Sequence, residues 1–234
     1  GESRILWYAA KLTAKRRKPR GAIALIPSMI NGPEIMDILP DRRSLIRWLA
    51  GQGFDVFLFE WGQLRDDPEL STLDDAIAGR LLRAMLWLRK ETQSLDQKLI
   101  GLGYCMGGLF LAGLNVLEPD VVDASVFVAT PWDFHAGRKG SFAEAISGWT
   151  PDGLARVAHL DYMPAEWLQM IFAGVDPSLM ARKFSAFAEM DMNSAESELF
   201  VAVEDWVNGG CDLPSGVVQQ AVRDWYLDNK TAKN

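Results

Sequence analysis

The stretch KLIGLGYCMGGLFLAG places Cys105, one of two cysteines in the chain, between glycines. Gly103 stands two residues before it, Gly107 stands two residues after it, and Gly108 extends the pattern. An apolar run precedes this segment and a helical pattern follows it, which predicts a sharp turn from a buried strand into a helix. Small residues two positions before and two positions after a nucleophile relieve the crowding around it on such a turn. The spacing therefore predicts that Cys105 is a nucleophile at the rim of a sheet.

Backbone amides near this turn are the candidate oxyanion donors. A helix that begins after Cys105 favours its thiolate, which is the reactive form of cysteine. The N–H of Met106 would point at the same place and could stabilise a developing oxyanion. A second donor normally comes from the loop after an earlier strand, here IPSMINGP. The backbone N–H of Met29 is the candidate for this second donor. The N–H of Ile30 is the next candidate, because topology fixes the position of the donor only to within one residue.

Three other residues have side chains that could do chemistry. His135 comes just after the fourth apolar run that predicts a buried strand. That strand would end at the same rim of the sheet as the strand before Cys105, so His135 is an alternative general base. The interpretation that we favour is a histidine without a catalytic role, in the loop that leads into the helical cap predicted below. Asp133 is expected to make turn contacts, and Cys211, in NGGCDLP, to be structural. The sequence indicates no metal site.

Composition restricts the class of protein. The chain has 234 residues, 49% of them hydrophobic, enough for one large domain or for a core with a lid. A net charge of −7 argues against nucleic acid as the partner. Two cysteines are too few for a disulfide framework, no apolar run is long enough to cross a bilayer, and the start does not resemble a signal peptide. These features predict a cytoplasmic protein without a transmembrane segment.

The first 131 residues alternate strand and helix patterns. SRILWYAA suits a strand, and four apolar runs predict strands buried on both faces: GAIALIPSMI, DVFLFEWG, KLIGLG and DASVFVAT. Helical patterns lie between them: DRRSLIRWLAGQG, STLDDAIAGRLLRAMLWLRKE and GLFLAGLNVLEP. Thr72 and Asp75 have the spacing of a capping box. The basic segment KLTAKRRKPR is interpreted as a solvated connection between two strands, with an anion-docking patch as the alternative. The alternation predicts an α/β fold with a parallel sheet covered on both faces.

Beyond residue 131 the pattern is helical and no convincing strand is found. The helical stretches are AEWLQMIFAG, SLMARKFSAFAEM, SAESELFVAVEDWVNGG and SGVVQQAVRDWYLDN. We therefore predict a core over residues 1–131 and a helical cap over residues 132–234.

Several of these segments resemble one enzyme family. GYCMGG resembles the cysteine box of the polyhydroxyalkanoate synthases, and SMINGPEIMDILPDRRSLIRWLAGQGFDVFLFEWG, VDASVFVATPWDF and EDWVNGGCDLPSGVVQQAVRDWYLDN are similar to other parts of them. The likeness is strongest to the catalytic subunit of the two-subunit, class III type.

This resemblance implies an α/β-hydrolase fold with a helical cap. It also implies acyl transfer from (R)-3-hydroxyacyl-coenzyme A to a growing polyester through a thioester on Cys105, without a metal or redox cofactor. The resemblance is compatible with a cytoplasmic protein at the polyester granule surface, and it leaves a homodimer or a partner subunit open.

The family's catalytic aspartate and histidine follow later strands, and no segment after WYLDNKTAKN supplies those strands. Only Cys105 is therefore assigned from the family. We expect that the sequence lacks a C-terminal part, or that another chain supplies it, because ASVFVAT as a last strand would be an exposed apolar edge.

Two alternative functions remain open. The box alone is also similar to that of dienelactone hydrolase, so a cysteine-dependent hydrolase of esters or lactones is one alternative. An inert α/β-hydrolase scaffold that acts through binding is the other, because no aspartate or histidine partner of Cys105 is identified.

Overall fold

The central feature of the computed structural model, which describes residues 3–15, 17–65, 67–136 and 159–233, is a five-stranded sheet. Its strands are β1 (Arg4–Tyr8), β2 (Ala22–Ile26), β3 (Asp55–Glu60), β4 (Leu99–Tyr104) and β5 (Ala124–Val128). Their order in the sheet is β1-β3-β2-β4-β5; β1 is antiparallel to β3, and the other neighbours are parallel. The predicted α/β fold is confirmed, including the position of β5 beside β4.

Helices on the two faces of the sheet connect its strands. They are α1 (Leu45–Gly51), α2 (Leu82–Ser94) and α3 (Met106–Leu117). A π-helical segment, Asp75–Leu81, leads directly into α2. The predicted capping box is present: the Asp75 carboxylate accepts from the Thr72 N–H and hydroxyl at 2.9 and 2.8 Å, and the Asp75 N–H donates to the Thr72 hydroxyl at 3.1 Å. This reciprocal pair fixes where the long helical stretch begins.

The described part of the C-terminal region, from residue 159 to residue 233, is helical with one exception. Its helices are α4 (Ala165–Val175), α5 (Pro177–Ala188), α6 (Ala195–Asn208), α7 (Ser215–Ala221), the π-helical segment Val222–Leu227 and α8 (Lys230–Lys233). The exception is a small antiparallel pair, β6 (Tyr162–Met163) with β7 (Leu213–Pro214), so the prediction of no strand was wrong. Two-residue strands are too short to leave a periodic pattern. Residues 137–158 of the predicted cap lie outside the described ranges, and the division at residue 131 stays a prediction.

Apolar side chains form two cores, one on each face of the sheet. The smaller core packs α1 against β2 and β3, with Ile46 and Leu25 almost fully buried. The larger core lies under α2 and α3 and extends to the C-terminal region, where Val217 of α7 and Met163 of β6 are buried in the same cluster. The start of α7 and the small strand pair are therefore part of the main core. No helix in the described ranges is long and apolar enough to cross a membrane.

Strand β5 lies at the edge of the sheet. It pairs with β4 alone among the described residues, and Val126, Phe127 and Val128 are 42%, 49% and 38% exposed. Within the described residues this strand is therefore not buried on both faces, and it forms the exposed apolar edge that the sequence predicts for it as a last strand. Its apolar pattern is that of an inner strand, but its position in the sheet is that of an edge, which is a liability unless another element covers it.

Asp123, immediately before β5, provides a test of how this edge is anchored. Its carboxylate pairs with Arg89 at 2.5 Å and Lys98 at 3.0 Å and accepts from the Leu99 N–H at 2.8 Å. The Arg89 contact, more than any other, lowers the pKa of this carboxyl group. A lowered folded-state pKa stabilises the fold above the ordinary carboxyl pKa of about 4, and that contribution is lost as the pH falls below it.

We therefore expect Asp123→Asn to lower the free energy of unfolding by about 2 kcal/mol at pH 7. The difference from the parent chain should shrink as the pH falls below about 4. Urea unfolding at several pH values measures it, with the exposed Asp120→Asn as the control. A pH-independent difference would contradict the assignment.

Candidate active site

Cys105 occupies the turn between β4 and α3 in a strained backbone conformation. Its φ is +53° and its ψ is −124°, a region that residues other than glycine rarely adopt. The turn is held on both sides, because the Cys105 N–H donates to the Val128 carbonyl at 2.9 Å and its carbonyl accepts from the Gly108 N–H at 2.9 Å. The structure thus contains the sharp strand-to-helix turn that the glycine spacing predicts. The role of Cys105 as nucleophile stays a prediction.

The three glycines around Cys105 stand where a side chain has no room. A Cβ atom at Gly107 would collide with the Ile26 carbonyl, and one at Gly103 with the backbone of Gly108. At Gly108 it would collide with the Thr130 side chain, just after β5. The first two contacts are with backbone, which cannot move away as a flexible side chain can. The glycines therefore allow β2, β4, β5 and α3 to meet at one point beneath Cys105.

The Cys105 thiol is half-buried and largely neutral. Burial raises its pKa above the usual value, and the Met106 N–H, which hydrogen-bonds the sulfur, partly offsets this effect. No charged side chain of the described residues contributes to the shift. The Cys211 thiol also has a raised pKa, from burial first and then from the negative charges of Glu34 and Asp212. Neither cysteine is activated by a neighbouring cation within the described chain.

The loop 27–32 follows β2 beside the turn that carries Cys105, and it is called the oxyanion loop below because it contains the predicted second donor. Ile26 of β2 lies opposite Gly103 of β4, so these two strands end at the same rim of the sheet. The Ile30 N–H donates to the Ser28 hydroxyl at 3.1 Å, whereas no hydrogen bond among the described residues uses the Met29 N–H. Of the two predicted candidates, Met29 is therefore the one with a free donor. Its part in an oxyanion hole stays a prediction.

His135 and Asp133 lie on the loop after β5 and contact the C-terminal end of the chain. The Asp133 carboxylate accepts from the N–H groups of His135 and Ala136, both at 3.0 Å, and from the Asn229 side chain at 2.8 Å. The predicted turn contacts of Asp133 are thus confirmed. His135 Nε2 lies 2.8 Å from the Tyr226 carbonyl oxygen. Because a carbonyl only accepts, this contact places the proton on Nε2 and leaves Nδ1 as the basic nitrogen of the ring. The role of His135 as an alternative general base stays a prediction.

Tyr226 is a residue near Cys105 that the sequence did not single out. Burial, and then the negative charge of the Cys105 thiolate, raise its pKa far above the ordinary value, so the phenol stays protonated. Its ring packs edge-on against Phe134, with 4.7 Å between the centroids. Tyr226 follows Cys105 by more than one hundred residues, and DWYLDN carries only a helical pattern. No local signal could have predicted this proximity.

Solved structures place this architecture in a known class. The chain superposes on a monoacylglycerol lipase from Paleococcus ferrophilus with a TM-score of 0.53 at 16% identity, covering all of this chain and 74% of the lipase. A carboxyl esterase from Bacillus coagulans gives a TM-score of 0.54 at 13% identity, over 94% of this chain and 67% of the esterase. At these identities the likeness concerns the fold alone. The chain has the α/β-hydrolase fold.

Sequence relatives are more specific. Three proteins named poly(3-hydroxyalkanoate) polymerase subunit PhaC match most of the chain. The one from Allochromatium vinosum is 29% identical over 91% of this chain, that from Haloferax mediterranei 30% over 99%, and that from Thiocystis violacea 29% over 97%. The resemblance to the polyhydroxyalkanoate synthases is thus confirmed. The chain spans 60%, 46% and 63% of the lengths of these relatives. No family model matches the chain.

The steric role of the glycines gives one prediction. Gly107→Ala should lower the free energy of unfolding by about 3 kcal/mol, because its new Cβ meets a backbone carbonyl. Gly79→Ala is the matched control: its Cβ would meet no atom within 4 Å, and alanine is the better helix former. Urea unfolding measures both. Equal stability of the two variants would show that the turn is not crowded.

The electrostatics of Cys105 give a second prediction. In a Cys211→Ser background, the rate of alkylation by iodoacetamide should rise about tenfold per pH unit from pH 7 to pH 9, without a plateau in that range. The reason is that burial keeps the thiol protonated up to a pH above its ordinary pKa near 9. A plateau below pH 7.5 would contradict this environment, since it requires a nearby cation or base.

Proposed function

We propose that the chain performs acyl transfer as part of a polyhydroxyalkanoate synthase, with Cys105 as the nucleophile. The observation that carries this proposal is a cysteine with φ +53° on the strand-to-helix turn of a chain that resembles polymerase subunits over most of its length. A strained turn of this kind is maintained only where the surrounding packing enforces it. The proposed substrate is an (R)-3-hydroxyacyl-coenzyme A, and the product is a polyester.

In the proposed first step, Cys105 attacks the carbonyl carbon of the thioester. The thiol gives its proton to a base, a bond forms between Sγ and the carbonyl carbon, and the carbonyl oxygen becomes an oxyanion. The Met106 and Met29 N–H groups would donate to that oxygen. When the intermediate collapses, the bond to the coenzyme A sulfur breaks and coenzyme A leaves, taking up a proton.

In the second step, the hydroxyl oxygen of another 3-hydroxyacyl group attacks the acyl group on Cys105. An ester bond forms, the carbon–Sγ bond breaks, and the thiol is regenerated as the hydroxyl proton is transferred. The first step requires a proton acceptor because the Cys105 thiol has a raised pKa, and the second because the attacking hydroxyl must lose its proton. Both histidines of this chain, His135 and His159, lie within the described residues. We propose that the acceptor is a histidine in the part of the relatives' length that this chain does not span, or in a partner chain.

The inert scaffold is retained as a second candidate because of the raised pKa of Cys105. An activated nucleophile usually has a lowered pKa, and burial has the opposite effect here. Cytoplasmic and granule-surface localisation, and a homodimer or a partner subunit, remain proposals drawn from the resemblance.

A direct test is incubation of the protein, with any partner subunit, with 3-hydroxybutyryl-coenzyme A. We expect one equivalent of coenzyme A to be released per chain and an acyl group to remain on Cys105, detected by mass spectrometry. Cys105→Ala should abolish the adduct, whereas Cys211→Ser should keep it.

The products separate the competing functions. Oligomers of the hydroxyacid support a synthase, and monomeric acid alone would identify a hydrolase. Absence of any adduct, together with alkylation of Cys105 at the rate of a model-peptide thiol, would identify the inert scaffold and refute the proposal.

A further inference from the structure

The end of helix α6 is hydrogen-bonded to the oxyanion loop. The Trp206 indole Nε1–H donates to the Gly32 carbonyl at 2.7 Å. In the opposite direction, the Asn31 side-chain amide donates to the carbonyls of Trp206 at 3.1 Å and Val207 at 3.2 Å. These partners are more than 170 residues apart in sequence, so tertiary structure alone brings them together.

The rest of the oxyanion loop is held in the same way. The Ile30 carbonyl accepts from the Cys211 N–H at 2.8 Å, and the Pro27 carbonyl accepts from the buried Trp61 indole at 3.1 Å. Three carbonyls of the loop, those of Pro27, Ile30 and Gly32, thus have partners outside it, while the Met29 N–H has none among the described residues. A loop without regular secondary structure is fixed here by side chains and backbone groups from outside it.

We propose that Trp206 and Asn31 are positioning residues that hold the Met29 N–H at the oxyanion hole. The inference rests on the proposed function, because it assigns these residues to the oxyanion-forming step at Cys105. Oxyanion donors stabilise charge only when they are already oriented before the reaction, and a small displacement removes most of their effect. A side chain that fixes the loop therefore acts on the rate without touching the substrate.

The contacts also couple the loop to helix α4. The Gln169 side chain of α4 donates to the carbonyls of Val207 at 3.2 Å and Asn208 at 3.0 Å, next to the groups that Asn31 binds. A shift of α4 would therefore move the segment that holds the oxyanion loop. The position of these two helices sets the geometry of the oxyanion hole.

The experiment compares Trp206→Phe with Trp167→Phe in the Cys211→Ser background. Phenylalanine keeps an aromatic ring at position 206 but removes the N–H that binds Gly32. Trp167 is a matched control, because it lies on α4, is 40% exposed, and its indole makes no hydrogen bond among the described residues. Asn31→Ala is a second variant that removes the other contacts.

The first readout is hydrogen exchange of the peptide that contains residues 27–32. Trp206→Phe and Asn31→Ala should raise its exchange rate about tenfold relative to the control, since each removes contacts that hold the loop. Unchanged exchange would overturn the proposal, whatever the activity of the protein.

The second readout separates oxyanion stabilisation from thiol reactivity. Acylation of Cys105 by p-nitrophenyl acetate at pH 9 passes through an oxyanion, whereas alkylation by iodoacetamide does not. We expect the acylation rate to fall about tenfold in Trp206→Phe and the alkylation rate to stay as in the control. Equal acylation rates, or an equal loss in both reactions, would overturn the inference.

The two probes also distinguish this inference from the proposed function. If the parent protein reacts with p-nitrophenyl acetate but releases no coenzyme A from 3-hydroxybutyryl-coenzyme A, the proposed substrate is wrong. A selective loss of acylation in Trp206→Phe would still support the positioning role.

Discussion

The strained backbone at Cys105 is the constraint on which the rest of the structure depends. A residue with positive φ at the end of β4 requires the chain to turn at once into α3, and the turn brings helix backbone against the neighbouring strands. Such closeness is possible only where Cβ atoms are absent, which explains the glycines at 103 and 107. The order β2-β4-β5 follows, because the Ile26 carbonyl and the Val128 carbonyl each approach the turn from one side.

The C-terminal half contacts the rim of the sheet on both sides of this turn. On the β5 side, Asn229 binds Asp133 and the Phe134 N–H; on the β2 side, Trp206 binds Gly32. Two loops that follow parallel strands are thus fixed by side chains from helical segments far along the chain. This arrangement gives the C-terminal region a structural role at the site.

The chemistry of Cys105 is limited by its surroundings. Burial favours the neutral thiol, and the Met106 N–H is the one group of the described chain found to favour the thiolate. A nucleophile in this state depends on a proton acceptor. The reactivity of Cys105 is therefore determined by where a base lies. The exposed apolar edge of β5 lies beside this site, and its inner-strand sequence is compatible with an additional strand pairing there.

Much of the fold could be predicted from local patterns. The apolar runs predicted all five strands of the sheet, and Thr72 with Asp75 predicted the capping box, because burial and capping leave short periodic signals. The β6–β7 pair could not be predicted, since two residues have no period. For Val126 and Phe127 the apolar pattern alone predicts burial, and their exposure follows only when β5 is taken as the last strand, because an inner and an edge strand of the same sequence differ only in their neighbours.

For the site, the sequence by itself determined the turn at Cys105, because the spacing of Gly103 and Gly107 is a steric requirement within a few residues. Only the tertiary structure decided which amide of the oxyanion loop is free, that Nε2 of His135 is occupied, and that Trp206 and Tyr226 belong to this region. The physical reason is the separation along the sequence between the groups that interact. Strain and capping act between residues a few positions apart, whereas the contacts of His135, Trp206 and Tyr226 join groups about one hundred or more residues apart, which no local pattern records.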